Sequence, residues 1–343
     1  MNSMKVHAFA VIAACPLAVF SSAALAADYF AGKTITVEVP AGSGGSYHMY
    51  CQMVQHNLAR HIPGKPTMIV RNRPGAGGLV SASYMANVAK KDGTEIAMIA
   101  PGTLTIPLIR PTKFDGRKFN FLGSTAARSA AIWVWHSKGI TSLEDLKTKP
   151  VKLAASSFTS SASIFPRMLN KLLGTKMEIV TGYKGGGAMN LAIERGEAEG
   201  RWNYRSGFVA AKPGWMKDKK LVPVVATGPR DPLMKGVPHI REFFKDGSVE
   251  QKLYDMYEMN FLIGQGFYAP PGVNPEALKI LRTAFAKMVA DPQTLKMVNE
   301  RRLEWAPISA EDVHKELDKG FSSVTPEVVA ALKAVFEKKT AAK

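Results

Sequence analysis

From residue 34 the chain alternates apolar and polar positions, Thr34-Ile35-Thr36-Val37-Glu38-Val39, the period of a half-buried strand. It runs into Pro40-Ala41-Gly42-Ser43-Gly44-Gly45-Ser46, after which Tyr50, Met53, Val54 and Leu58 recur at helical spacing until Pro63-Gly64 stops them. The same device then repeats. Thr67-Met68-Ile69-Val70 leads into Asn72-Arg73-Pro74-Gly75-Ala76-Gly77-Gly78 and a helical pattern over 79–89. Asp92-Gly93 turns the chain into a buried strand at 95–100, closed by Pro101-Gly102-Thr103. This βαβαβ order predicts a parallel sheet covered by helices, with its glycine turns at the strand ends where such sheets bind ligands. Strand, glycine turn and helix start together leave unpaired backbone N–H groups at the positive end of a helix, a ready site for an anion.

Residues 107–120 read as loop, and 130–135 (Ala-Ala-Ile-Trp-Val-Trp) as a strand entering a second domain. Thr141 and Glu144 predict a capping box for a short helix. The rhythm then restarts: a strand at 151–155, the hydroxyl-rich turn 156–161, and a helix over 164–173. A strand at 178–180, the turn Tyr183-Lys184-Gly185-Gly186-Gly187 and a helix over 188–195 follow. A strand at 199–204 presents Arg201, Asn203 and Arg205 at its end, and another covers 221–226. Residues 266–270 bring the chain back to the first domain. Asn274-Pro275-Glu276 starts a helix that runs to 290, and Ser309 opens a further helical region.

The 343 residues suffice for two domains, and hydrophobic and charged contents of 46% and 21% are globular. Lys5, an apolar run over 8–20 and Ala24-Leu25-Ala26-Ala27 read as a secretory leader, residues 1–27, cut at an Ala-x-Ala site. Ile12-Ala13-Ala14-Cys15 also fits, loosely, a lipoprotein cleavage box. With ordinary processing Cys51 is the sole mature cysteine, which excludes an internal disulfide and reads as a small buried hydrophobe. The formal charge of +17 favours anionic partners, but no nucleic-acid-binding motif accompanies it, so nucleic acid is not an expected partner. His56 and His61 lack the carboxylate or cysteine of a metal set, and no metal or other cofactor is implied.

The leader, Ile35-Thr36-Val37-Glu38-Val39-Pro40, Asn72-Arg73-Pro74-Gly75-Ala76-Gly77-Gly78, Lys91-Asp92-Gly93-Thr94, Tyr183-Lys184-Gly185-Gly186 and Ala269-Pro270-Pro271-Gly272, in that order, resemble the Bug (TctC-like) proteins. These are periplasmic solute receptors of tripartite tricarboxylate transporters. The resemblance spans essentially the whole mature chain, and the Asn-x-Pro-Gly-Ala-Gly-Gly element is its most specific part. It implies an α/β, type II periplasmic-binding fold: two α/β lobes, a ligand cleft and hinge strands. Lobe 1 would take 28–128 and 229–343, and lobe 2 would take 129–228. It implies a small organic carboxylate as ligand, held largely by backbone N–H groups, and integral-membrane transporter components as partners. Carried over, the candidate contacts are Ser43, Gly44, Gly45, Ser46 and His48 on the first loop and Gly75, Ala76, Gly77 and Gly78 on the second. Ser156, Ser157, Thr159, Gly186 and Gly187 would come from the other lobe. Many relatives carry an aspartate where this chain has His48, and losing that acid disfavours a ligand with an amine.

The residues leave several readings open. Glycine also serves tight turns without any ligand. His48 is a contact or a half-exposed helix residue, and Tyr47 leans over the site or packs in the first turn. Arg201 pairs with a ligand carboxylate or with Glu197 or Glu199. Asn203 would help fix the ligand, while Trp133, Trp135 and Trp202 are core or ligand platform. Gly42-x-Gly44 followed by Tyr47 misses the dinucleotide fingerprint. A secreted serine hydrolase acting on small esters is the rival class, with Ser46 near His48. The chain has no Gly-x-Ser-x-Gly elbow and no identified orienting acid, so binding without catalysis is the expectation.

Overall fold

The computed structural model describes residues 29–209 and 211–337, so the expected secretory leader, residues 1–27, lies outside the described residues. In chain order the first half contains β1 (Thr34–Val39), α1 (Ser46–Leu58), β2 (Thr67–Asn72), α2 (Leu79–Asn87), β3 (Glu95–Met98) and β4 (Asn120–Ser124). Then come β5 (Ala130–Trp135), α3 (Leu143–Thr148), β6 (Val151–Ala154), α4 (Ser161–Leu173), β7 (Met177–Val180) and α5 (Gly186–Glu194). They are followed by β8 (Gly200–Tyr204), α6 (Ser206–Val209), α7 (Pro213–Lys217) and β9 (Leu221–Thr227). The rest of the chain forms α8 (Val249–Ile263), β10 (Gly266–Ala269), α9 (Pro275–Ala290), α10 (Pro292–Glu300), β11 (Ile308–Ser309), α11 (Ala310–Ser322) and α12 (Pro326–Phe336).

Two sheets of matching design result. One has the order β11-β4-β10-β3-β1-β2, the other β7-β6-β8-β5-β9. In the first, β2, β1 and β3 are parallel and β10 runs against β3 and β4. In the second, β7, β6 and β8 are parallel and β5 runs against β8 and β9. Each sheet thus borrows its reversed strand from chain that has just crossed over, so 125–129 and 264–265 lie side by side, hydrogen-bonded through Thr125, Ala126 and Gln265. Strands β10 and β5 are the ones the pattern assigned to the crossings; the short edge strand β11 also runs against β4. This is an α/β fold of two sheets with helices, as expected.

Packing follows the pattern where the pattern is strong. Ile35, Val37 and Val39 are fully buried, as are Tyr50, Cys51, Val54 and Leu58 of α1 that lie against them, with Met53 almost so. A second core runs through Trp133, Leu153, Phe165 and Trp202 to Tyr257 and Phe261 of α8, then to Val313 and Leu332. The last helix lies on α4, with the Phe158 and Phe336 rings 5.6 Å apart. Three local expectations need correcting or completing. The capping box is Ser142 with Asp145, one residue later than Thr141 and Glu144, because the Asp145 carboxylate accepts from the Thr141 and Ser142 N–H groups. Strand β4 lies in a stretch with only Phe121 and Leu122 as apolar markers before Gly123-Ser124, and the pattern missed it. Helix α8 was missed too, although Gln251, Asp255 and Glu258 mark a polar stripe opposite its buried face of Leu253, Met256, Tyr257 and Phe261.

Beside the crossing, His239 is buried, and its Nε2 lies 2.8 Å from the Gly228 carbonyl while Nδ1 accepts from the Arg241 N–H. Its Nε2 therefore carries the proton and the ring is neutral. Burial holds its pKa below the usual 6.5, with Arg230 and Arg241 adding to the effect and the Gly228 hydrogen bond and Glu258 opposing it. A histidine depressed on folding stabilises fully above its unfolded pKa and loses that contribution as pH falls through the folded one. Stability should decline below pH about 6.5 by up to about 1.4 kcal/mol per pH unit, and His239→Gln should flatten that slope. Urea midpoints of both proteins between neutral and mildly acidic pH check this. Identical slopes would remove His239 as the cause.

Candidate functional site

Helix starts divide the molecule into two groups. Among the described helices of six residues or more, six begin with a side-chain cap: Ser142, Ser248, Asn274, Asp291, Ser309 and Thr325 accept from their own first turns. The other four, α1, α2, α4 and α5, have no side-chain cap and no acidic residue in the first turn. Those four follow β1, β2, β6 and β7 at the carboxyl ends of the parallel strands. Their free N–H groups and dipoles therefore converge on one place.

That place is a cavity of about 360 Å³ between the two sheets. Of the candidate contacts named from the residues or carried over from the resemblance, Gly45, Ser46, Tyr47, Gly75, Ala76, Gly77, Ser156, Gly186, Arg201 and Asn203 line it. Ser43, Gly44, His48, Gly78, Ser157, Thr159 and Gly187 do not. Most of these seven form the seam where the sheets' turns meet. A Cβ on Gly187 would stand 3.1 Å from the Ser43 carbonyl oxygen, and one on Gly44 would touch Gly187 Cα at 3.6 Å. Thr159 Oγ1 donates to the Ala76 carbonyl at 2.9 Å, and the Gly42 N–H donates to the Lys184 carbonyl at 2.9 Å. Gly78 backs onto Ala100, and His48 is half-buried behind the wall, its Nδ1 making no hydrogen bond to protein. The glycines thus do two jobs: some bare backbone toward the cavity, and others let two backbones meet.

The second turn is held by its own motif. Asn72 Nδ2 donates to the Ala41 carbonyl at 2.7 Å and ties the two turns together. Arg73 bends away to the buried Glu38, which Arg71 also meets, so neither arginine enters the cavity. Residues 75–78 all have positive φ, a conformation that suits glycine and turns successive N–H groups to one side.

The cationic wall is β8. Arg201 is buried; its Nη1 donates to the Gly186 carbonyl at 3.0 Å and to Asn190 Oδ1 at 3.2 Å, and its Nη2 donates to Asn203 Oδ1 at 2.6 Å. No carboxylate pairs with it among the described residues. Glu199 is taken by Lys138 and the Lys152 N–H, and Glu197 lies 3.8 Å from Arg195. The salt-bridge alternative for Arg201 therefore fails, because Glu199 is engaged by Lys138 and the Lys152 N–H and Glu197 lies nearest Arg195. Burial without a counter-charge pushes the Arg201 pKa down, the nearby Tyr47 opposing and Arg128 adding. Arg205 turns instead to Asp231 and Glu304.

A family model described as "Tripartite tricarboxylate transporter family receptor" matches residues 51–321. The chain belongs to that family. A curated relative of the receptor, a protein from the gbd 5' region of Cupriavidus necator, is 25% identical over 84% of this chain and 87% of its own. The receptor's fold is that of the periplasmic binding protein BugD, at TM-score 0.70 and 17% identity over 88% of this chain and 97% of that one. A Rhodopseudomonas palustris protein solved with adipate aligns at TM-score 0.68 and 20% identity over 88% and 97%. MatC from Rhodopseudomonas palustris with bound malate aligns at 0.65 and 18% over 89% and 99%.

Sequence reasoning missed part of the receptor's wall. Tyr204 lines the cavity as a neighbour of Asn203, while Trp202, read as core or ligand platform, is both: it lines the cavity and stacks on Phe165 with centroids 4.8 Å apart. Trp133 is wholly core. Ser160 and Ser161, in the hydroxyl-rich turn, and Tyr183, Lys184 and Gly185, in the third glycine turn, were visible as turns but not chosen. Arg128 gave no signal, sitting in the patternless crossing segment. It is fully buried, lies 3.4 Å over the Tyr204 ring and donates to Ser46 Oγ at 2.9 Å.

Proposed function

We propose that the receptor captures a small organic carboxylate between two lobes and hands it to integral-membrane components of its transporter. The convergence of four uncapped helix starts on one cavity carries this reading, since it concentrates N–H donors and positive dipole ends where no acidic residue among the described ones competes. Malate and adipate in the two solved relatives are of this chemical class. The lobes part at the two crossings, 125–129 and 264–265, and α12 packs on both α8 and α4. Cross-seam bonds such as Thr159 to Ala76 form on closure and give the membrane partner a shape to recognise. Residues 1–27 act as a cleaved leader that sends the protein to the periplasm. No helix of the described residues is long and apolar enough to cross a membrane.

The receptor works by binding alone. Ser46, the serine proposed for a hydrolase, is hydrogen-bonded by the Arg128 guanidinium, which cannot act as a base. No histidine among the described residues lines the cavity. A thermal-shift screen of ligand-stripped mature protein against mono-, di- and tricarboxylates tests the reading. An acid at a hundred times its dissociation constant should add about 2.7 kcal/mol of stability. If no carboxylate moves the melt, the reading falls.

A further inference from the structure

Arg201 and Asn203 hold more hydrogen-bond donors than the protein uses. Both line the cavity and are only 6% and 3% exposed as residues. Arg201 Nε makes no hydrogen bond to protein, and neither does Asn203 Nδ2. Nη2 of Arg201 has one partner, Asn203 Oδ1, for its two hydrogens. The free donors thus include Nε–H, one Nη2–H and the neighbouring amide, enough for the two oxygens of one carboxylate.

The surroundings look arranged for this pair. A Cβ on Gly207 would stand 2.6 Å from Asn203 Nδ2, so that glycine makes the room the amide occupies. The Gly186 carbonyl and Asn190 Oδ1 fix the other side of the guanidinium. The remaining wall is largely apolar or aromatic: Tyr47, Ala100, Ala162, Met189, Trp202 and Tyr204. Asp and Glu are absent from it among the described residues, so a ligand ammonium would be buried beside a guanidinium with no anion to meet it.

We propose that Arg201 and Asn203 form a side-chain clamp for one carboxylate, selecting acids that have an apolar body and no amine. The inference rests on the carboxylate reading and adds to its backbone donors a charged one that sets specificity. Calorimetric titration uses matched probes, 3-phenylpropionate against phenylalanine and adipate against 2-aminoadipate, on wild type, Arg201→Met, Arg201→Lys and Asn203→Ala. Circular dichroism and the ligand-free melt check that each variant folds. At least one amine-free acid should bind wild type, and its amine partner should bind about 100-fold or more weakly. Arg201→Met should lose about 100-fold and Asn203→Ala about tenfold. Arg201→Lys should fall between wild type and Arg201→Met, since it keeps the charge but not the fork.

If Arg201→Met or, should that variant not fold, Arg201→Lys binds the acid as wild type does, the clamp is overturned while the receptor reading stands. Equal binding of an acid and its amine partner overturns the selectivity. If wild type binds none of the acids in this panel or in the wider screen, the carboxylate reading falls and takes the clamp with it.

Discussion

A Gly77→Asp protein is expected to fold, to melt within a few degrees of wild type without ligand, and to bind no carboxylate. Gly77 lines the cavity at the tip of the second glycine turn, with φ +69°. A Cβ there would stand 2.7 Å from Ser157 Oγ and 2.9 Å from the Ser160 backbone N and Cα. The hydroxyl can swing aside, but the Ser160 backbone at the start of α4 cannot. Closure to the present seam is therefore blocked, while an open form leaves the side chain in solvent. Aspartate tolerates the left-handed conformation better than most residues, and just before α2 its charge gains about 0.3–1 kcal/mol from the helix dipole. The fold is thus nearly spared. In the cavity the same charge faces the ligand's own, and affinity should drop by more than about 100-fold. Gly77→Asn, close in shape and uncharged, separates the two causes: a loss as deep as aspartate's assigns the effect to blocked closure, and a shallower one exposes the charge. Wild-type affinity in Gly77→Asp, measured by calorimetry, would refute the site.

The contrast between Gly77 and Gly44 shows how far the sequence could be read. Both sit in glycine-rich turns after a strand, and local pattern treats them alike. One lines the cavity and the other meets Gly187 across the seam, a difference set by how two lobes approach each other. Local periodicity was enough for the strand-turn-helix units, the two reversed strands and the Asn274 cap, because each is decided by neighbours within a few residues. It failed at β4, where burial depends on elements far along the chain, whereas the stripe of α8 was there to be read and was passed over. Arg201 and Asn203 were legible because period two puts them on one face of a strand that ends at the ligand side. That Glu199 is taken by Lys138 was not legible, since that ion pair joins residues some sixty positions apart. Arg128 was invisible for the same reason: its partners Ser46, Ser206 and Tyr204 come from three separate elements.

The crossing at 264–265 carries the largest expected loss of stability. Gly264 has φ +52° and ψ −104°, outside the conformations open to residues with a side chain. A Cβ there would lie 2.0 Å from the Ala126 carbonyl oxygen and 3.0 Å from Ala127 Cα, both backbone. That carbonyl already accepts the Gln265 N–H at 3.0 Å, and the Gln265 carbonyl accepts the Thr125 N–H at 3.2 Å, so the oxygen cannot retreat without parting the two crossing strands. Gly264→Ala should therefore cost more than about 4 kcal/mol, which lowers the melting temperature by roughly 10 °C or prevents soluble accumulation. Gly174→Ala is the matched control: its φ is +73°, yet nothing lies within 4 Å of the added Cβ, so only the left-handed strain of about 1–2 kcal/mol applies. If the two variants melt together, the crossing strands are looser than their hydrogen bonds imply, and the lobes do not pivot on this contact. If Gly264→Ala alone collapses, the two crossings act as one unit. A glycine that does not line the cavity then sets whether the lobes can close at all.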